Sequence, residues 1–91
     1  MIQSFADEIT EHLASGRFVR KLPGELQRQA LKRLTFLKLA QRIEDLYIPP
    51  SNHFHSLGNQ GRYAIRVNMQ WRITFRWSEA GPIDVLFEDY H

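Results

Sequence analysis

The first half of the chain contains two stretches in which apolar residues recur at helical spacing. In residues 7–14, acidic side chains occupy the first turn, Ile9 and Leu13 lie four positions apart, and Gly16 follows, so the pattern predicts a short helix with both apolar residues on one face. A longer stretch, about residues 23–42, starts at Pro23, a residue that suits the first turn of a helix. Its predicted apolar stripe consists of Leu26, Ala30, Leu34 and Leu37, with Leu31 and Ala40 beside it.

The last third of the chain changes to the two-residue alternation of β-strands. The alternating segments are residues 62–68, 71–77 and 83–88. Residues 2–5 suit a short opening strand, whereas residues 43–61 lose periodicity around Pro49-Pro50. The apolar face of the strands needs a cover, which the two helices supply. We therefore expect one α+β domain over residues 1–91: a short N-terminal strand, and two N-terminal helices packed on one face of an antiparallel sheet with three C-terminal strands.

Arginines of the predicted strands fall on the face of the sheet opposite the helices. If Val67 faces Trp71 across the first turn, the arginines of the two strands lie directly opposite one another, because paired residues point to the same side. The expected pairs are Arg66 with Arg72 and Arg62 with Arg76. Like charges in this position destabilise a sheet unless an anion lies between them.

Two sources of negative charge suit these arginines. If Trp77 lies opposite Ile83, the third strand supplies internal carboxylates. The expected ion pairs are Arg76 with Asp84 and Arg72 with Glu88. The other source is external, because guanidinium groups bind phosphate oxygens in bidentate fashion and a nucleic-acid backbone carries many of them. Two carboxylates cannot neutralise four arginines, so both interpretations stay open.

Composition narrows the classes of function. The chain has 91 residues, no cysteine, and no apolar run near the roughly 18 residues of a membrane span, so thiol chemistry and disulfides are excluded and a cytoplasmic location is expected. The net charge is only +2, but residues 17–42 carry +7 and residues 62–76 carry +4. This uneven distribution of charge favours a polyanionic ligand, which Arg28 and Lys32 of the second helix would contact. A helix face exposed to solvent is the simpler explanation of such cations.

Two clusters contain side chains that can exchange protons near neutral pH. One is His53-Phe54-His55 in the irregular segment, and the other is the ending Asp89-Tyr90-His91. Cleavage of a phosphodiester by its neighbouring 2′-hydroxyl needs a base, an acid and cations around the phosphorane. The residues that suit these roles are His91 or Asp89 as base, His55 as acid, and Arg72 and Arg76 as cations. Ordinary surface histidines are one alternative, and a metal site built from the histidines and Asp89 is a less favoured one.

Several segments of the chain resemble one protein family. They are Met1-Ile2-Gln3-Ser4-Phe5, the segment Glu44-Asp45-Leu46-Tyr47-Ile48-Pro49-Pro50-Ser51-Asn52, the pattern Tyr63-x-Ile65-Arg66-x-Asn68-x-x-Trp71-Arg72-Ile73, and the ending Asp89-Tyr90-His91. Through them the chain resembles HigB-type toxins of the RelE/ParE superfamily in bacterial type II toxin–antitoxin systems, over essentially its whole length. The resemblance implies a RelE-like toxin that enters the ribosomal A site and cleaves mRNA. It also implies a HigA-type helix-turn-helix antitoxin, through which alone operator DNA is contacted, and no membrane.

The resemblance also implies roles for individual residues. It assigns catalytic roles to His55, Arg72, Asp89, Tyr90 and His91. The charge pattern adds a set of expected RNA-binding residues: Arg28, Lys32, Arg62, Arg66 and Arg76. No metal and no cofactor is expected. Relatives usually carry Leu-Lys-Gly-Asp-Arg at the position of residues 57–61, whereas this chain has no cation there. We therefore expect the arginine-bearing face of the sheet and the second helix to make more of the RNA contacts. The alternative function is that of a non-enzymatic ParE-like toxin that inhibits DNA gyrase.

Overall fold

The computed structural model of the protein describes residues 1–58 and 61–89. It has an α+β fold in which two helices pack on an antiparallel sheet, as the sequence predicted. The helices are α1 (Glu8–Ala14) and α2 (Gly24–Leu39), followed by two short 3₁₀ helices, Ile43–Tyr47 and Pro50–Asn52. The strands are β1 (His55–Ser56), β2 (Arg62–Arg66), β3 (Trp71–Ser78) and β4 (Gly81–Asp89), which neighbour one another in that order. None of the described helices is long and apolar enough to cross a membrane.

Helix α1 has the predicted extent but buries a different pair of residues. Asp7 caps its N-terminus by accepting a hydrogen bond of 2.8 Å from the amide of Thr10, and Gly16 ends it with a positive φ of 81°. Ile9 is 48% exposed, whereas Thr10 and Leu13 are buried, so the expected Ile9–Leu13 face is wrong. The helix turns the side chain of Thr10 toward the sheet, because the Thr10 hydroxyl accepts a hydrogen bond of 2.9 Å from the amide of Phe87 in β4.

Helix α2 buries the predicted stripe but is shorter than the predicted range of 23–42. Ala40 has extended backbone angles and ends the helix. The next residues instead begin the first 3₁₀ helix, because the carboxylate of Asp45 accepts hydrogen bonds from the amides of Gln41 and Arg42 at 2.9 and 3.1 Å. The buried residues of the stripe are Leu26, Ala30, Leu34 and Leu37.

The N-terminal segment lies along β4 without forming the predicted strand. Phe5 makes a single parallel bridge with Val85. The backbone hydrogen bonds between this segment and β4 are interrupted at Asp84. This residue has a positive φ of 52°, and its amide donates a hydrogen bond of 2.9 Å to the Ser4 hydroxyl. Residues 43–61, predicted to be irregular, hold the two 3₁₀ helices and β1, which adds a fourth strand beside the three that were predicted.

The interruption at Asp84 also changes the register of the sheet. Asp84 and Val85 together oppose the single residue Phe75, so the strand pairing shifts by one position beyond it. Arg76 therefore lies opposite Ile83 rather than Asp84, and the predicted pairing in this part of β4 is wrong. Strict two-residue alternation in the sequence could not reveal the extra residue, because a bulge leaves the apolar pattern on either side intact.

Candidate active site

The sheet has one face against the helices and one face that carries the arginines. Ile65, Ile73, Phe75 and Phe87 belong to the core cluster that includes the helices. The alternate residues point to the other side, and there the predicted arginine pairs are confirmed. Arg62 is the register partner of Arg76, and Arg66 is the register partner of Arg72. We refer to these four residues as the arginine face.

An internal carboxylate lies in the middle of the arginine face. Glu88 accepts a hydrogen bond of 2.6 Å from the hydroxyl of buried Thr74, and that hydroxyl accepts one of 2.9 Å from Arg62. The other carboxylate oxygen of Glu88 lies 3.8 Å from a guanidinium nitrogen of Arg72. Glu88 thus links two arginines on different strands, which confirms the predicted Arg72–Glu88 pairing.

The second predicted ion pair, between Arg76 and Asp84, is present at a longer distance and with more exposed side chains than the Arg72–Glu88 pair. Arg76 Nε lies 4.0 Å from a carboxylate oxygen of Asp84, and both side chains are about half exposed, at 49% and 53%. Exposed pairs of this kind contribute about 0–1 kcal/mol to the free energy of unfolding. The pair forms although the two residues are not register partners, because the bulge places Asp84 next to the position opposite Arg76.

A cleft of about 570 Å³ lies at one end of the arginine face. One wall is the segment that leads into β1, and the other is formed by the end of β2, the β2–β3 turn and the start of β3. The residues that line the cleft are His53, Phe54, His55, Arg66, Met69 and Arg72. The structure therefore brings both loop histidines together with one arginine from each of two strands.

The hydrogen bonds of the two histidines define which ring nitrogen can act. His55 Nδ1 lies 2.7 Å from the backbone oxygen of His53. A carbonyl oxygen only accepts hydrogen bonds, so Nδ1 carries the proton and, in the neutral ring, Nε2 carries the lone pair. Nε2 of His53 lies 3.4 Å from Arg66 Nη1, and because a guanidinium only donates, this nitrogen of His53 accepts.

Arg66 connects three parts of the cleft. Besides His53, its guanidinium contacts the backbone oxygen of Asn68 at 3.3 Å and the sulfur of Met69 at 2.8 Å. The β2–β3 turn is itself fixed by Asn68, whose side-chain oxygen accepts hydrogen bonds of 2.8 Å from the amides of Gln70 and Trp71. Arg66 is thereby held across the cleft from His55.

The segment that carries the histidines is anchored by Asn52, a residue of the stretch that was predicted to be irregular. Asn52 is fully buried, and its amide group donates to the backbone oxygens of Leu46 and Ile48 at 3.1 and 3.4 Å. Its side-chain oxygen accepts a hydrogen bond of 2.7 Å from Arg33 of α2. Burial lowers the pKa of the Arg33 guanidinium from its ordinary value. A buried polar residue directly before His53 has no signature in hydropathy, so only the structure identifies it.

The predicted terminal trio falls partly outside the described residues. Asp89 is the register partner of Trp71, which places it on the other side of the sheet from Arg72 and Glu88. Its carboxylate accepts a hydrogen bond of 2.9 Å from the side chain of Gln70. Tyr90 and His91 lie outside the described residues, as do Asn59 and Gln60 of the loop without cations. The roles of Asp89, Tyr90 and His91 remain predictions.

The predicted helix cations lie outside the cleft. Arg28 and Lys32 line a separate depression on the helix side of the molecule, which Val67 at the end of β2 also borders. Arg28 forms an ion pair of 2.6 Å with Glu25, one turn earlier, and both side chains are mostly exposed. Within residues 1–58 and 61–89, no three His, Asp or Glu side chains come together as metal ligands would.

The fold and the cleft define a small α+β domain whose open sheet face carries arginines and histidines. The family of HigB-like toxins, described as RelE-like toxins of the type II toxin–antitoxin system HigB, matches residues 3–91. The chain is 34% identical over 73 residues to Toxin HigB-1 of Vibrio cholerae, a match that covers 78% of this chain and 77% of that toxin. It is 32% identical over 73 residues to an uncharacterized protein of Haemophilus influenzae, covering 78% of this chain and 71% of that protein. The chain therefore belongs to the HigB-like family of RelE-like type II toxins.

Proposed function

We propose that this toxin cleaves mRNA in the ribosomal A site and so inhibits translation. The observation that carries the proposal is the cleft, in which His55, oriented by the bond from its Nδ1 to the His53 backbone oxygen, lines one surface with Arg66 and Arg72. A proton carrier beside two phosphate-binding cations is what 2′-hydroxyl attack on a phosphodiester requires. In this proposal residues 1–91 act as one toxin domain.

The proposed chemistry uses side chains alone. With both ring nitrogens protonated, His55 donates a proton from Nε2 to the leaving 5′-oxygen, and Tyr90 orients the reacting groups. His91 receives the proton of the attacking 2′-hydroxyl. Asp89 is the other candidate base, but its register position puts it on the opposite side of the sheet from Arg72. Arg72 stabilises the charge that develops on the phosphorane. The remaining members of the arginine face hold the RNA backbone beside the cut, and the two helix cations, which lie outside the cleft, contact RNA farther from it. Those residues are Arg62, Arg66, Arg76, Arg28 and Lys32.

The Glu88 carboxylate gives the arginine face a defined state before RNA arrives. In the free toxin it lies 3.8 Å from Arg72, a distance at which the pair is loose and the side chains are 21% and 33% exposed. A phosphate that binds Arg72 in bidentate fashion would form shorter, charge-assisted hydrogen bonds than Glu88 does.

Membership of a type II toxin family implies an antitoxin partner. We propose that this partner is a HigA-type protein with a helix-turn-helix domain, which neutralises the toxin and contacts operator DNA. The toxin would reach the operator only through the antitoxin. Copurification with the product of an adjacent small gene would test this partner.

The experiment that tests the function is cleavage on programmed ribosomes, with the cut sites mapped by primer extension. The wild-type toxin should cut within the A-site codon, and removal of His91 or the change His55→Ala should lower the rate constant by about 10²–10⁴-fold. Lys38→Ala, an exposed cation on α2 far along the helix from Arg28, is the matched control. An uncut message, together with inhibition of gyrase supercoiling by the same protein, would reject the proposal in favour of the ParE-like alternative.

A further inference from the structure

The loop between α1 and α2 carries an exposed aromatic ring among cations. Phe18 is 74% exposed. Its neighbours Arg17, Arg20 and Lys21 are also exposed, and residues 12–24 contain no acidic residue. In the described part of the chain none of these three cations lies within 4.0 Å of a carboxylate. The loop thus presents uncompensated positive charge around an aromatic ring that the core does not use.

The exposure of Phe18 is built into the loop. Gln27 of α2, which is 8% exposed, binds both the amide and the carbonyl of Val19 and the carbonyl of Leu22, each at 2.7 Å. Val19 and Leu22 pack against the core. The ring of Phe18 is therefore held outside by hydrogen bonds and by the two apolar anchors that follow it. A backbone fixed in this way lowers the conformational entropy that the loop loses when a ligand stacks on the ring.

The cations of the loop continue toward the cleft. Phe18 and Arg17 line a depression of about 240 Å³ together with Arg28. Arg28, which is paired with Glu25, also lines the next depression, together with Lys32 and Arg33. Arg33 donates a hydrogen bond of 2.7 Å to Asn52, directly before His53 of the cleft. A track of cations thus runs from the loop along α2 to the segment that carries the histidines of the cleft.

We propose that the loop of residues 15–23 is a second RNA-binding site, in which an unpaired base stacks on Phe18 while Arg17, Arg20 and Lys21 bind the flanking phosphates. An aromatic ring surrounded by cations is the arrangement that binds single-stranded RNA without reading its sequence. The inference rests on the proposed function, since the same RNA or ribosome would occupy the cleft. An acidic protein partner fits the cations equally but gives no role to the aromatic ring among them or to a track of cations that leads toward the segment carrying the histidines.

The test is equilibrium binding of the full-length toxin to two RNA probes. The first is a ribosome programmed with an mRNA whose A-site codon carries 2′-O-methyl groups, which prevents cleavage, and the second is that mRNA alone. Phe18→Ala should weaken binding about tenfold. The triple change Arg17→Ser, Arg20→Ser, Lys21→Ser should reduce the salt slope of log affinity by about two. Loss with the programmed ribosome alone assigns the base to ribosomal RNA, and loss with both probes assigns it to mRNA.

Two matched controls and two other measurements separate the explanations. Leu39→Ala removes another exposed apolar side chain, 69% exposed, and Lys38→Ala removes a cation away from the track; neither should change RNA affinity. Unchanged RNA affinity in the loop variants, or a loss of affinity for the antitoxin alone, would overturn the proposal. Cleavage of unmodified mRNA is measured separately. Loop-dependent binding without cleavage by the wild type would reject the proposed function and leave the RNA-binding loop intact.

Discussion

Arg33 donates a hydrogen bond of 2.7 Å to the side-chain oxygen of Asn52 and so joins the middle of α2 to the segment that carries His53 and His55. Asn52 in turn holds the backbone oxygens of the preceding 3₁₀ segment. The geometry of the cleft therefore depends on a hydrogen-bonded residue in the interior. The proton carriers are exposed, but the residue that positions them is not.

Asn52→Ala should lower the free energy of unfolding by about 2–3 kcal/mol, because it leaves buried backbone oxygens and the Arg33 guanidinium without a partner. Urea denaturation measures the effect. Ser51→Ala is the matched control, since Ser51 is exposed and lies 3.3 Å from the same guanidinium; its effect should stay within about 0.5 kcal/mol. Equal effects of the two changes would contradict the anchoring role of Asn52.

Thr74→Val should lower the free energy of unfolding by about 1.5–3 kcal/mol. The change keeps the branched shape of the side chain but removes the hydroxyl that joins Arg62 to Glu88. Thr35→Val serves for comparison, because its hydroxyl donates to the Leu31 carbonyl on the exposed side of α2, within the same helix. Thermal or urea unfolding measures the stability of both variants. A Thr74 variant no less stable than the Thr35 variant would show that the Arg62–Thr74–Glu88 hydrogen bonds contribute nothing to stability.

Asp45 should make stability depend on pH in the acid range. Hydrogen bonds from the backbone amides of Gln41 and Arg42 lower the pKa of this carboxyl below its ordinary value of 3.8. Because the folded pKa is the lower one, the stabilisation is complete above about pH 4 and is lost as the pH falls through the folded pKa. Asp45→Asn should therefore be less stable than the wild type at neutral pH, with the difference shrinking in acid.

The control for the Asp45 experiment is Glu44→Gln, the exposed neighbouring carboxyl. Urea unfolding measured from pH 2 to pH 7 should give parallel curves for this variant and the wild type. A gap between wild type and Asp45→Asn that widens toward low pH would have the opposite sign and would exclude the capping role.

His55 and His53 should contribute unequally to cleavage. The hydrogen bond that fixes the His55 ring comes from the backbone oxygen of His53, so His53→Ala keeps it. We expect His55→Ala to lower the single-turnover rate constant by about 10²–10⁴-fold and to remove one limb of the pH–rate profile, while His53→Ala costs less than tenfold. An unchanged pH profile in the His55 variant would assign the proton transfer to another group.

Much of the fold was predictable because it follows from the spacing at which apolar residues recur along the chain. The alternation after residue 61 predicted three strands, and the Val67–Trp71 register predicted both arginine pairs, since opposed residues in a sheet must share a face. The stripe of α2 was predictable for the same reason. The family resemblance rested on quoted segments rather than on periodicity, and the comparisons confirm it.

The sequence by itself determined the helical and strand spacing of the apolar residues, the distribution of charge, and the placement of arginines on one face of the sheet. Only the tertiary structure decided where that regularity breaks: the positive φ of Asp84 shifts the register of β4, and Thr10 replaces Ile9 in the interior because an amide of β4 needs an acceptor there. It also decided that Asn52 and Gln27 are buried and bonded. These outcomes depend on hydrogen bonds between residues distant in the chain, which hydropathy and spacing do not encode.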